Sequence, residues 1–310
     1  MTKFYEVFSH PLYARYRASI WSKPTVFQVV SLALTIVLPL LVAYRSQGFW
    51  IKTNYYKEQP KLLWNGDFIF VAQSAVLPAS YFVWSTFAGI NQAESAHLRV
   101  ATVSSNTRDK NRDGLTDQIE FNVRLPLKFS NESVSIVQFL TFFSLELELQ
   151  SRFRAQTMLA YKQSTPLRSA TRLNTIGDIH LQQRAPLQWR GFDRRLDAPI
   201  VPENFIQQSL TSVEDLLAIN HERNVSLGLH REVVTWQPGP PGTDFHLRLN
   251  VHIPVQTIEY QTGFWELIKW AWIQYLAVMV VFAFVMNRIR RFVFINRLVF
   301  AIPVVDRQRG

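Results

Sequence analysis

Two long apolar runs constrain this chain more than any other feature of its 310 residues. Residues 26–44 contain no ionisable side chain other than the terminal Tyr44. As a helix rising ~1.5 Å per residue the run reaches ~28 Å, close to the ~30 Å hydrocarbon thickness of a bilayer. Pro39 lies inside it, which a membrane helix tolerates. A cleaved signal peptide has a shorter apolar core, of ~7–15 residues, and an A-x-A site beyond it; neither fits here. Residues 270–286 form the second run, with Gln274 its one strongly polar position. Trp265, Trp270, Trp272 and Tyr275 crowd its start, and Arg288, Arg290 and Arg291 close it as a basic, lipid-facing stop. Aromatic residues at one interface and cations at the other are how a spanning helix meets water. The sequence therefore predicts a membrane protein with transmembrane helices at 25–45 and 266–287. Between them, 46–265 reads as a mainly β, sandwich-like exoplasmic domain with a minor helix.

Charge placement sets the orientation. In residues 1–24, Lys3, Arg15, Arg17 and Lys23 against Glu6 leave +3. Beyond residue 287, six Arg against Asp306 leave +5, so the two flanks hold +8 of the net +10. The positive-inside rule puts both termini in the cytoplasm, although Arg45, Lys52, Lys57 and Lys61 soften the contrast. The two N-x-S/T sequons, at Asn131 and Asn224, both fall in the loop, where glycosylation is expected. Basic charge confined to membrane flanks indicates topology and contact with the lipid bilayer rather than nucleic-acid binding. Leu12, Tyr16 and Ile20 recur every fourth residue in the N-terminal segment, which suits an interfacial helix or docking on partner helices, the alternative being a disordered basic segment. In the basic tail 288–310, Phe292, Phe294, Leu298 and Phe300 interleave with arginines in a similar way.

The loop is long enough to hold a core. Short apolar runs at 68–75, 81–87, 98–104, 119–127, 177–183 and 245–253 are separated by polar or Pro/Gly punctuation. Strict alternation at Phe143, Leu145, Leu147 and Leu149 is the period of a half-buried strand, and antiparallel pairing is expected. A helix is expected over 212–222, opened by Ser212 with Asp215 three residues on. Residues 156–162 are open between helix and strand, and 194–204 reads as loop. Cysteine is absent, which excludes disulfides, thiolate metal sites and Cys nucleophiles.

One motif carries chemistry. Asp109, Asn111 and Asp113 stand at positions 1, 3 and 5 of a twelve-residue calcium loop, and Gly114 sits at the turning position 6. Leu115 offers its carbonyl at position 7, Asp117 stands at 9 and Glu120 at 12. Alternate residues of a tight loop point inward together, which suits a hard cation wanting six to eight oxygens at about 2.3–2.6 Å. Strand-like flanks predict a calcium loop joining β-strands, with a structural ion, rather than a helix-pair sensor. A hairpin turn with solvated carboxylates is the alternative. Catalytic readings are weak. His180, His221, His230, His246 and His252 lack ligand spacing, and no G-x-S-x-G elbow, P-loop or dinucleotide fingerprint occurs. Glu146 and Glu148 lie two apart on one strand face, as solvated residues commonly do. Neither span carries a mid-depth charge that would mark an ion path.

Several strings then resemble the transmembrane protein 231 family. They include Phe-Ser-His-Pro at 8–11, the stretch 41–50 ending in Gly-Phe-Trp, Glu-Gln-Pro at 58–60, Trp-Ser-Thr-Phe at 84–87 and the 109–117 loop. Glu-Arg-Asn-Val at 222–225, Gly-Phe-Trp-Glu at 263–266 running into 272–275, and the tail strings at 288–294 and 302–304 continue the likeness in collinear order. It thins over 145–220. The resemblance implies a glycosylated, non-enzymatic scaffold of the tectonic-like (Meckel syndrome) complex at the ciliary transition zone. It further implies a role in the membrane diffusion barrier, ciliogenesis and Hedgehog signalling. Its partners would be tectonic, B9-domain and Meckel-syndrome-type proteins in a hetero-oligomer. The alternative is an accessory subunit of a two-span channel or lipid transporter, whose ectodomains are typically disulfide-stapled. A membrane-anchored hydrolase lacks an assembled acid–base or nucleophile set.

Overall fold

The computed structural model describes residues 15–46, 49–74, 80–130, 132–165, 169–189, 191–201 and 211–304. In chain order, β1 (Arg15–Arg17) precedes α1 (Lys23–Arg45), followed by β2 (Thr53–Glu58), β3 (Lys61–Gln73), β4 (Tyr81–Ser85) and α2 (Ala88–Ala93). Next come β5 (Thr102–Arg108), β6 (Gln118–Leu125), β7 (Ile136–Leu147), β8 (Arg152–Ser164), β9 (Ala170–Gln183) and β10 (Phe192–Leu196). The chain closes with α3 (Thr211–Glu222), β11 (Val225–Pro238), β12 (Phe245–His252), β13 (Gln256–Gln261), α4 (Phe264–Ile295) and β14 (Ile302–Val304). Two units result: residues 53–261 form one, and the segments on either side of them form the other.

In the helical unit α1 and α4 pack antiparallel. Ala43 and Ala271 meet beside Phe49 at one end, and the rings of Phe27 and Phe294 lie 6.0 Å apart at the other. Small residues at the crossing let the backbones approach, as in membrane bundles. The remaining surface is apolar and uncovered: Phe284 is 75% and Val280 64% exposed, which water would penalise and lipid would not. Both helices are long and apolar enough to cross a membrane. At 32 residues, α4 outruns the predicted span and carries Arg288, Arg290 and Arg291 on its last turns. Its turn geometry therefore ends past the basic stop, because nothing in that stretch breaks a helix.

The predicted interfacial helix before α1 is not what forms at its described end. Residues 15–17, including Tyr16, are extended and pair antiparallel with Ile302–Val304. Ile20 lies in a turn, and Leu12 lies outside the described residues. Antiparallel helices bring these two flanks together, and a short strand pair satisfies backbone groups that a three-residue helical turn would leave open.

The second unit is built on a sheet of ten strands ordered β4-β3-β7-β8-β11-β9-β12-β6-β5, with β10 attached to β8. Five strand steps separate β7 from β6, which in a flat sheet is ~24 Å. Yet Phe121 on β6 lies 5.7 Å from Phe139 on β7 and 5.3 Å from Trp64 on β3, ring centre to ring centre. The sheet thus curls until its halves face each other over one core, giving the sandwich-like layering that alternation predicts. The joint is narrow: β8 and β11 share the single registered pair Leu159 and Leu227. On the outer side of β7, Leu140 and Phe142 meet a smaller core under α2 and α3, with Ile90, Val213 and Leu216. Strand β7 is buried on both faces for that reason. The helix expected at 212–222 is α3.

Three pairings depart from the antiparallel expectation: β10–β8, β11–β8 and β12–β9 are parallel. Alternation is the same in either direction, so period alone does not determine partner polarity. Residues 156–162 fall in β8, and 194–196, where loop was expected, belong to β10, the exposed Arg194 and Arg195 having disguised an edge strand. A separate ribbon pairs β2 with β13, Thr53 opposite Gln261. The domain's chain therefore enters and leaves through neighbouring strands.

Candidate functional site

The 109–117 loop joins β5 to β6, two strands paired antiparallel from Thr102 opposite Arg124 to Arg108 opposite Gln118. Its side chains are organised by its own backbone. Asp109 accepts the N–H groups of Arg112 at 2.6 Å and Gly114 at 3.0 Å; Asn111 accepts that of Asp113 at 3.0 Å, and Asp113 that of Leu115 at 2.8 Å. Asp109 is thus held through both carboxylate oxygens, and the second oxygen of Asp113 accepts from Asn111 Nδ2 at 2.8 Å. Gly114 has φ +87°, and Arg112 φ +60°, in the left-handed region that the tight turn demands. Asp117 accepts from the N–H of Lys110 at 2.8 Å and from Gln59 Nε2 at 3.0 Å. Those bonds, Gln59 foremost, hold its carboxyl below the usual range. The backbone of Asp117 is anchored as well, donating to Arg108 O and accepting from Ile253 N–H at 2.8 Å.

Glu120 does not join this group. It is buried on β6, where Arg248 Nε binds it at 2.8 Å and Arg108 stands at 3.8 Å. In a helix-pair loop the following helix carries position 12 back over the ion. Here an extended strand carries Glu120 roughly 10 Å beyond Asp117. Among the described residues no three acidic or histidine side chains already converge as a metal cage. Asp109, Asn111, Asp113, Leu115 and Asp117 share the loop; Glu120 serves the sheet. Sequence reasoning missed Gln59, since nothing local in Glu-Gln-Pro marks a partner 58 residues away.

The other singled-out residues separate. Asn131 lies outside the described residues. Asn224 is half-buried, its amide accepting from Ala185 N–H at 2.7 Å and donating to Ala185 O at 3.3 Å. Glu146 takes Lys61 at 3.5 Å and Arg154 at 3.2 Å, while Glu148 is exposed. His180 and His230 face each other at 4.7 Å, and partial burial, then the neighbouring imidazole, lowers the pKa of His180. On α4, Arg288 and Arg291 are exposed, as a lipid-facing role requires. Arg290 is not: it turns onto α1, donating from Nε to Ser31 Oγ at 2.5 Å. Ser31 is buried in the helix contact, and a polar pair there fixes the two helices in register.

Comparison with known proteins places these features in a family. The sequence model described as Transmembrane protein 231 matches residues 2–303. The chain is 38% identical over 301 residues to Transmembrane protein 231 of Rattus norvegicus, covering 97% of this chain and 95% of that protein. The Homo sapiens relative of the same name is 36% identical over 307 residues, covering 99% and 96% respectively. A solved proton-activated chloride channel aligns over 87% of this chain and 99% of its own with 6% identity and a TM-score of 0.26, a level that carries no argument.

Proposed function

We infer, from the premise that the chain belongs to the transmembrane protein 231 family, a non-enzymatic scaffold subunit of the tectonic-like complex at the ciliary transition zone. In this role the two spans hold the protein in the ciliary membrane, with both flanks cytoplasmic and 53–261 exoplasmic. The β-rich unit offers surface to tectonic-type membrane proteins, and the basic flank meets lipid and B9-domain or Meckel-syndrome-type cytosolic proteins. Contribution to the diffusion barrier, to ciliogenesis and to Hedgehog signalling follows from that assembly. The observation that carries this reading is the near full-length likeness to proteins of one family, joined to two helices whose outer faces only lipid or partner helices suit. Co-purification of tectonic-type proteins with the full chain from ciliated cells is the expected result. Ion flux through the purified chain in vesicles, without such partners, would favour the channel reading instead.

Within that role we propose that the 109–117 loop holds a structural calcium ion. Its donor set is all oxygen, from Asp109, Asn111, Asp113, Asp117 and the Leu115 carbonyl, which suits a hard cation. Both carboxylate oxygens of Asp109 and of Asp113, and the amide oxygen of Asn111, each accept one hydrogen bond and keep a second lone pair for the ion. Glycosylation at Asn131 is proposed on the sequon alone; at Asn224 a glycan would have to coexist with the Ala185 bonds. Calcium should raise the melting temperature of the full chain in detergent in a concentration-dependent way, and magnesium less so. Asp113→Ala should abolish the shift. No shift at millimolar calcium would leave a solvated turn held by its own hydrogen bonds.

A further inference from the structure

A polar groove crosses the solvent face of β9, β12, β6 and β5, and neither the loop nor the family reading uses it. Strand register stacks its side chains in two rungs, Arg172, His246 and Arg124 in one, Asn174, Arg248 and Asn122 in the next. Their chain neighbours Leu173, Leu247, Leu249 and Val123 are buried, so alternation turns all six outward. With hydroxyls of β5 along its rim, the face encloses a cleft of about 390 Å³.

Two of the three guanidinium groups are held in place by carboxylates. Arg124 grips Asp244 through two nitrogens, at 2.9 and 2.7 Å, and Arg248 binds Glu120 at 2.8 Å. Arg172 differs. It is exposed and has no carboxylate within salt-bridge distance among the described residues, so its charge is uncompensated. A guanidinium fork matches a carboxylate or sulfate bidentately, and the amides, imidazole and hydroxyls around it match alcohols. Apolar lining is confined to Val123 and Leu247, which offers no anchor pocket for a hydrophobic peptide side chain. Among the described residues no Trp, Tyr or Phe lines the cleft either, so a neutral sugar has nothing there to stack on.

We propose that this groove binds an acidic glycan whose rings carry sulfate or carboxylate groups. Arg172 takes the anion; Asn122, Asn174 and His246 take neighbouring ring hydroxyls; the clamped Arg124 and Arg248 shape the walls. Such polymers belong to exoplasmic surfaces, so the biological role rests on the proposed orientation. Binding by the purified chain does not, and the two fail separately.

The test is a titration of the full chain in phosphatidylcholine nanodiscs with a heparin-derived octasaccharide. Saturable binding is expected, about tenfold weaker in Arg172→Glu, where one attraction becomes a repulsion. Arg172→Lys keeps the charge but loses the fork, so its affinity should fall between wild type and Arg172→Glu. Asn174→Asp, which sets a repulsive charge in the adjacent rung, should also weaken binding and serves if Arg172→Glu misfolds. Removing charge outside the groove, by Arg288→Gln with Arg291→Gln, should leave the affinity unchanged. The proposal is overturned by absent saturable binding, or by equal affinity in Arg172→Glu and wild type. Tighter binding of poly-glutamate than of the octasaccharide would make the groove an acidic-peptide site and overturn it equally.

Discussion

Thr157 and Arg99 show how one kind of environment gives opposite signs to two substitutions. Thr157 is fully buried on β8, and its hydroxyl has no hydrogen-bond partner among the described residues. Removing an unpartnered buried hydroxyl takes away a desolvation cost, so Thr157→Val should stabilise the protein by about 1 kcal/mol. Chemical denaturation of the full chain in detergent would register this as a higher midpoint; a lower one would mean the hydroxyl is satisfied in solution. Arg99 is the reverse case. Its guanidinium lies 2.6 Å from Glu132 and 5.1 Å above the Phe82 ring. Glu132 also accepts the N–H of Lys128 at 2.6 Å, but those neutral donors do not replace a charge. Arg99→Leu strands a buried carboxylate and should cost about 3 kcal/mol, whereas replacing Arg99 and Glu132 together should cost far less. A double-mutant cycle of midpoints measures the difference, and equal losses would show the pair to be uncoupled.

At the scale of elements, the contact between α1 and α4 depends on two features: small residues at one end and the Ser31–Arg290 bond at the other. The chain has no cysteine, so introduced thiols report without background. Ala43→Cys with Ala271→Cys should form an intramolecular disulfide under mild oxidation in membranes, since both side chains lie in one buried cluster. Ala43→Cys paired with Val280→Cys, on the exposed face, should not. Cross-linking of the second pair and not the first would show that the helices face differently. Within the domain, the weakest seam is the single registered pair joining β8 to β11. The shared core there, Leu159 against Leu227 with Leu173 and Ile179 nearby in the same cluster, makes up for missing ladder bonds by burial.

For the whole molecule, antiparallel spans place the segments before α1 and after α4 on one side of a bilayer, and the paired β1 and β14 agree with that. In the proposed orientation that side, which carries the +3 and +5 flanks, is the cytoplasmic one. Tags placed before Phe4 and after Gly310 should both survive protease added outside intact cells, while a tag inserted after Pro240, at an exposed turn of the domain, should be lost. Digestion of the terminal tags with protection of the internal one would invert the molecule. Such an inversion would also remove the acidic glycan from its proposed setting while leaving binding in vitro untouched.

Whatever repeats along the chain was legible before any fold was known. Apolar length marked α1 and α4, because a helix exposed to lipid must be apolar on every face. Short apolar runs marked β6 and β12, and alternation marked β7, because each pleat points its side chains to two fixed sides. Spacing marked the 109–117 loop, because the residues that turn it are adjacent. Everything that depends on which surfaces meet was decided by the tertiary structure. Period two is blind to strand direction, so the parallel pairing of β9 with β12 was out of reach. The strand-like polar stretch at 192–196 became β10 only through β8. Arg290 looked like its neighbours until Ser31 faced it across the helix contact, and Glu120 like a loop ligand until Arg248 arrived from β12. The groove is the clearest case: Arg124, Arg172 and Arg248 are far apart in sequence, and the pairing of β9, β12 and β6 sets them side by side.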